Sequence, residues 1–298
     1  MSEEFGFFLL LMSNGLLIGL MYALIALGFV LVYKATDAVN FAQGEFVMIA
    51  GLVVAAALDV YGAPLWLSIA LGVAAMIGFG FALERTMLRK LIGRPIIAVV
   101  MATIGLASIL RGLGPTFLGA GTKSLKLPIP DEPVVLGPLF IPPIQILGGT
   151  VSLVFLSAFG WFFLKSRKGI AMRAVADNQQ VAMAMGINVE RYFGLAWAMT
   201  GMVSALGGII WGNLLGVDVN LSLVGFKVFP VVILGGLDSI PGAIIGGLIV
   251  GVVESIAAGY IDPYVGGGTK DFAPYVLMIL ALMVRPYGMF GKKIIERV

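Results

Sequence analysis

Seven apolar runs long enough to cross a bilayer dominate this chain: 5–33, 38–58, 64–83, 95–118, 144–164, 192–215 and 273–290. A helix spans the hydrocarbon core with about 20 apolar residues, and only a lipid bilayer solvates so many such runs. Composition agrees. The 298 residues are 60% hydrophobic and 12% charged, half the roughly 25% charge of a soluble domain, and the mean hydropathy is +1.05. The 41 glycines suit transmembrane helices, which approach closely where side chains are small. The expected fold class is all-α, a polytopic membrane protein of about 8–10 transmembrane segments. Residues 1–298 are expected to form a single transmembrane domain.

A further stretch, 222–258, is longer and is interrupted at Gly235-Gly236-Leu237-Asp238-Ser239-Ile240-Pro241-Gly242. Its halves predict either two short crossings or a re-entrant hairpin. Glycines and Pro241 break a helix and expose backbone groups. Irregular backbone at membrane depth is tolerated only inside protein or along a cavity. The break therefore reads either as a tight turn where helices cross or as lining of a path.

Positive charge sets orientation. Arg85, Arg89, Lys90 and Arg94 lie together; Lys165, Arg167, Lys168, Arg173 and Arg191 form a second group; Arg285, Lys292, Lys293 and Arg297 form a third. With Lys34 these make 14 of the 19 basic residues, and one alternation puts all of them on the cytoplasmic side. The N-terminus is then outside, the C-terminus inside. The 119–143 segment, holding six of the 14 prolines, and 259–272 become external loops. The acidic start, Met1 to Phe5, lacks the basic region of a cleaved signal peptide, so the first apolar run is expected to be retained.

The absence of Cys and His excludes disulfides, thiol catalysis and His-based metal or proton-relay sites. No phosphate-binding G-x-x-x-x-G-K-[ST] loop, G-x-S-x-G, H-E-x-x-H or C-x-x-C motif is present. No catalytic residue, metal site, cofactor or nucleic-acid partner is expected. Arg111, Lys227 and Glu254 fall near the outer ends of their runs, where snorkelling explains them.

Two polar features remain. The first is a 27-residue island, Lys165 to Arg191, whose alanines favour helix. Asp177 and Asn178 interrupt it, and Gly186 is a helix stop. It predicts a short helix or helix pair at the cytoplasmic surface, either a docking element or a loop held by anionic membrane lipid. The second surrounds Asn40. Asn40, Gln43, Gly44, Gly51 and Ala55 share one helical face by i, i+3, i+4 stepping, and Glu45 is placed about 10 Å along that helix from Asp37. A polar, small face inside a membrane points at protein or at a wet path. These groups either shape a path or gate, or staple helices together. Asp37 to Asn40 is faintly echoed by Asp218 to Asn220, with Gly44 and Gly225 at similar offsets.

Three segments carry a family resemblance. Arg173-Ala174-Val175-Ala176-Asp177-Asn178, then Ala182 and Met185-Gly186-Ile187-Asn188, resemble the cytoplasmic coupling loop of ATP-binding-cassette importer permeases. Val39 to Phe46 and Ile233 to Ala243 resemble two motifs of the branched-chain amino-acid permeases, in the right order, and the likeness covers essentially the whole chain. Gln43 stands where that family usually has His, and Asp238 where a small residue is more usual. The resemblance implies a type II importer-like permease of the smaller, Liv type in the bacterial inner membrane. It implies coupling to the ATPase through Arg173, Ala174, Asp177, Asn178, Ala182 and Gly186 in segment 165–191. A path or gate would use Asn40, Gln43, Gly44, Glu45, Gly235, Gly236, Ser239, Pro241 and Gly242. The implied partners are a second homologous permease, two cytoplasmic ATPase subunits and an external substrate-binding protein. Urea, short-amide and simple-sugar permeases are alternatives within the superfamily; a stand-alone secondary transporter or channel is the alternative outside it.

Overall fold

The computed structural model describes residues 3–91, 94–125, 127–130 and 132–291. Lys292, Lys293 and Arg297 of the third basic group lie outside the described residues. The helices are α1 (Glu3–Thr36), α2 (Gln43–Asp59), α3 (Leu65–Thr86), α4 (Ile96–Leu118), α5 (Pro143–Lys165), α6 (Arg167–Asp177), α7 (Gln179–Ala184), α8 (Val189–Leu215), α9 (Leu223–Gly235), α10 (Ile240–Tyr260), α11 (Asp262–Val265) and α12 (Thr269–Val284). Short 3₁₀ turns occupy Leu88–Leu91 and Val219–Ser222. Among the described residues, α1, α3, α4, α5, α8 and α10 are the six helices long and apolar enough to cross a membrane. α2, α9 and α12 have 17, 13 and 16 residues.

Three local expectations change. Residues 37–42 are not helical, so α2 begins five residues later than its hydropathy predicts. Asn40 therefore shares no helical face with Gln43, and Glu45 shares no helix with Asp37. The 119–143 segment contains a hairpin, β1 (Val134–Leu136) antiparallel to β2 (Leu139–Ile141). Its two-residue turn is Gly137-Pro138, with Gly137 at φ 64°. Proline cannot adopt positive φ, which leaves the type II′ geometry among the favoured hairpin turns. The 222–258 stretch resolves into two helices, α9 and α10, with residues 236–239 between them.

The chain divides into two compact units. One comprises Met1–Val30, Pro128–Val154 and Lys227–Val298. One seam in it joins α1 to α10 through two small-xxx-small pairs, Gly15/Gly19 and Gly247/Gly251. A β-carbon on Gly19 would lie 2.6 Å from the Gly247 carbonyl oxygen, and one on Gly15 2.7 Å from Val252 Cα. Backbones meet here without side chains between them, and Ser255 adds a hydrogen bond to the Leu11 carbonyl at 2.8 Å.

The other unit comprises Leu31–Leu127 and Phe155–Phe226. α3 and α8 run antiparallel in it, with Gly194 beside Phe81 and Glu84, Gly80 against Trp197, and Gly201 against Met76. Phe46 of α2 completes the core, 5.3 Å from the Phe79 ring and 6.1 Å from Trp197.

Candidate functional site

The chain enters α2 through a buried polar turn. Asp37, the one non-glycine residue with positive φ among the described residues, ends α1 at φ 53°. Asn40 then organises the turn. Its Oδ1 accepts from Ala42 N at 3.1 Å, and its Nδ2 donates to Gln43 Oε1 at 3.3 Å. Gln43 Nε2 donates to Ser204 Oγ at 3.0 Å, and the Ser204 hydroxyl donates to the Thr200 carbonyl at 2.8 Å. Phe41 N donates to Thr103 Oγ1 at 3.3 Å. Asn40, Gln43, Thr103, Thr200 and Ser204 are all fully buried. Ser204 is the sixteenth of the 27 residues of α8, so this non-helical backbone lies beside the middle of a long apolar helix. There it is enclosed by protein, as such backbone must be. Gln43 uses a donor and an acceptor at once, which is what a neutral imidazole also offers.

Two residues further on, Glu45 meets an arginine. Arg111 of α4 approaches Glu45 Oε1 at 2.5 Å and Ser222 Oγ at 3.3 Å. The Glu45 side chain is 3% exposed and that of Arg111 43%. Snorkelling alone does not describe Arg111: it neutralises a carboxylate whose burial unpaired would be costly. Gly44 packs on the Ser222 carbonyl and on Gly225. The two echoing segments thus touch, yet differ in form, since Asp218 caps the 3₁₀ turn through Asn220 N at 2.8 Å while Asn40 precedes an α-helix.

The polar island is a helix pair. Ser166 caps α6 by accepting from Gly169 N at 2.9 Å. Asn178 ends α6 and caps α7, accepting from Val181 N at 3.0 Å. α7 closes with Gly186 at φ 80°, where Gly186 N bonds Met183 O and Ile187 N bonds Ala182 O, the Schellman pattern. Ala182 is 3% exposed and faces its own unit, not outward. Arg173 donates to the Leu164 carbonyl at 3.1 Å and lies over the Phe163 ring. Ala174 is half-buried, whereas Asp177 and Asn178 are exposed. The outward apolar groups are Ile170 of α6 and, in and just after α7, Val181, Met183 and Met185, which composition alone did not single out. One side-chain bond ties α7 to the end of α1, and an ion pair lies just past the helix pair at the start of α8. Gln179 Nε2 donates to the Ala35 carbonyl at 3.2 Å, and Glu190 of α8 pairs with Arg89 at 2.9 Å.

In the first unit, Gly235 packs against Gly242, and Gly236 has φ 103°. Ser239 caps α10 through Gly242 N at 3.1 Å, with Pro241 in its first turn. Met289 N and Phe290 N bond the Leu234 and Gly235 carbonyls. Residues 236–239 thus form a turn whose flanking carbonyls are bonded. Lys227 and Glu254, also read as snorkelling groups, are joined: Lys227 Nζ lies 2.6 Å from Asp271 and 3.7 Å from Glu254. Among the described residues no group of three or more Asp or Glu side chains is placed to hold a metal.

Long apolar helices enclosing paired charges and a buried amide network define a multi-pass helical membrane protein. The fold is shared with a chain of the solved structure PsaBC from Streptococcus pneumoniae in complex with Fab, at TM-score 0.51 and 14% identity over 93% of each chain. Residues 11–283 match the family model described as branched-chain amino acid transport system / permease component. The chain is 33% identical, over 100% of both sequences, to the high-affinity branched-chain amino acid transport system permease protein LivH of Escherichia coli K12. It is 30% identical to the corresponding BraD of Pseudomonas aeruginosa over 96% of each. The chain belongs to this permease family and is a membrane transport component.

Proposed function

We propose that this chain is the subunit through which an inner-membrane ATP-binding-cassette importer moves a branched-chain or other hydrophobic amino acid. The observation that carries the reading is the full-length 33% identity to a permease named for that solute class. Residues 1–298 act as a single permease domain beside a second, homologous permease. Two cytoplasmic ATPase subunits supply energy, and an external binding protein delivers solute. The 165–191 segment engages the ATPase through the outward side chains Val181 and Met183 of α7 and Met185 just after it, with Gly186 leaving room for backbone approach. Arg173, Ala174, Asp177, Asn178 and Ala182 set the shape of that element. Asn40, Gln43, Gly44 and Glu45 form the joint that opens or closes the path. Gly235, Gly236, Ser239, Pro241 and Gly242 form a turn that moves as one piece.

Reconstitution of the whole complex in proteoliposomes tests this. ATP-dependent uptake of leucine, isoleucine or valine is expected, with urea and ribose not accumulated; uptake of either of those in place of leucine would sink the solute assignment. Met185→Asp is expected to lower uptake and solute-stimulated ATP hydrolysis together while the binding protein still docks. Because the chain has no native Cys, Ser124→Cys reports sidedness cleanly. Labelling from the periplasmic side is expected, and labelling only from the cytoplasm would reverse the topology.

A further inference from the structure

We infer that Arg89 is a positioning residue that carries movement of the coupling segment into α3. The inference rests on the proposed docking of 165–191 and goes beyond it by naming the mechanical link.

Arg89 sits on the 3₁₀ turn Leu88–Leu91 and uses all three guanidinium nitrogens. Its Nε donates to Glu84 Oε1 at 3.0 Å and one terminal nitrogen to Glu84 Oε2 at 2.9 Å. The other terminal nitrogen lies 2.9 Å from Glu190 Oε2. The two carboxylates differ in what they need. Glu84, near the end of α3, is 2% exposed, and a buried carboxylate requires a partner. Glu190, in the first turn of α8, is 57% exposed, and water would serve it. Exposed pairs of this kind add little to stability. The second half of the bridge is therefore not explained by burial. What it does is fix position: it holds the residue four places after Gly186, the stop of α7, to the buried Glu84 of α3. A planar fork is required, because a lysine ammonium cannot satisfy both oxygens of Glu84 and reach Glu190 as well. Asn188 reinforces the geometry by capping α8 through Arg191 N at 3.0 Å, so the first turn of α8 moves as a unit with Glu190. A push on α7 then passes through Gly186 to Glu190, and through Arg89 to α3.

The experiment uses the whole complex in proteoliposomes. Glu190→Gln leaves the Arg89–Glu84 pair intact and alters only an exposed side chain. It is expected to lower solute uptake about three- to ten-fold and to raise the ATP hydrolysed per solute moved, with assembly and solute-independent hydrolysis unchanged. Arg89→Lys keeps a cation beside Glu84 but loses the fork, and should fall by a similar factor. The double variant should fall no further than either single one, because both remove the same link. Wild-type stoichiometry in Glu190→Gln, or losses that multiply in the double variant, would overturn the inference. Met185→Asp separates the two readings. If it uncouples while Glu190→Gln is silent, the link is wrong and the docking stands. If Met185→Asp is silent, the docking falls and the link falls with it.

Discussion

The α1–α10 seam rests mainly on glycine packing, whereas the entry to α2 adds a side-chain polar network to the packing of Gly44 on Ser222 and Gly225. At the first, Gly15 and Gly19 meet Gly247 and Gly251 backbone to backbone. At the second, Asn40, Gln43, Glu45, Thr103, Arg111, Ser204 and Ser222 meet through side-chain hydrogen bonds and one ion pair. Lipid tails are as apolar as leucine, so packing and polar contacts, not water exclusion, hold helices together in a membrane. A glycine seam has one close-fitting geometry and fails when anything is added. A polar seam consists of directional bonds that are exchanged as helices shift. The second seam is the one suited to move.

The steepest test of this contrast is Gly247→Leu. It drives a side chain into the Gly19 carbonyl and should cost about 3 kcal/mol or more, read as loss of monodisperse protein in detergent. Full stability would break the picture of a backbone seam. Arg111→Gln should come next, at about 2 kcal/mol, since it strands Glu45. Glu45→Gln combined with Arg111→Gln should recover most of that loss in thermal unfolding; a double variant as weak as the single would assign Arg111 another role. Gln43→Leu removes two hydrogen bonds of about 1 kcal/mol each. It should depress transport more than stability; transport that only tracks the amount of folded protein would make this seam a staple, like the first. Gly105→Ala should change least. Open space surrounds that glycine, and alanine's helix propensity should raise stability by a fraction of the roughly 1 kcal/mol difference.

Much of the helical layout is readable from hydropathy. The runs 64–83, 95–118 and 144–164 end within three residues of α3, α4 and α5, because both charge and Gly/Pro punctuation mark those ends. The run 38–58 misleads, since Ala38, Val39, Phe41 and Ala42 extend the apolar stretch while Asn40 and Asp37 direct the backbone elsewhere. Hydropathy measures side chains and cannot register that turn. Arg111 looks like an interfacial cation because its partner Glu45 lies 66 residues away, beyond any helical period. The α7 cap was legible in Asn178 and Gly186, whose chemistry is local. The inward aim of Ala182 was not, because a six-residue helix is too short to display a face. The spacings Gly15-x-x-x-Gly19 and Gly247-x-x-x-Gly251 stand in the sequence, but among 41 glycines spacing alone does not single them out. Which glycines pair with which depends on the tertiary fold.

Helix α1 has 34 residues and is about 51 Å long, against a hydrocarbon core of about 30 Å. Such an excess would ordinarily make a helix respond to membrane thickness by tilting or by deforming the lipid around it. Here 78% of its most apolar window is buried in protein, whereas the figure is 22% for the span containing α3 and 17% for α4. Acyl chains have little of that window to grip, and the exposed apolar groups of α1, Phe5, Phe7, Phe8 and Leu16, lie in its N-terminal half. Thickness is instead registered by α3 and α4, and α4, at 23 residues or about 35 Å, is close to the bilayer's own measure. Thin and thick membranes should therefore bear on the helix that carries Arg111 before they reach the buried stretch of α1.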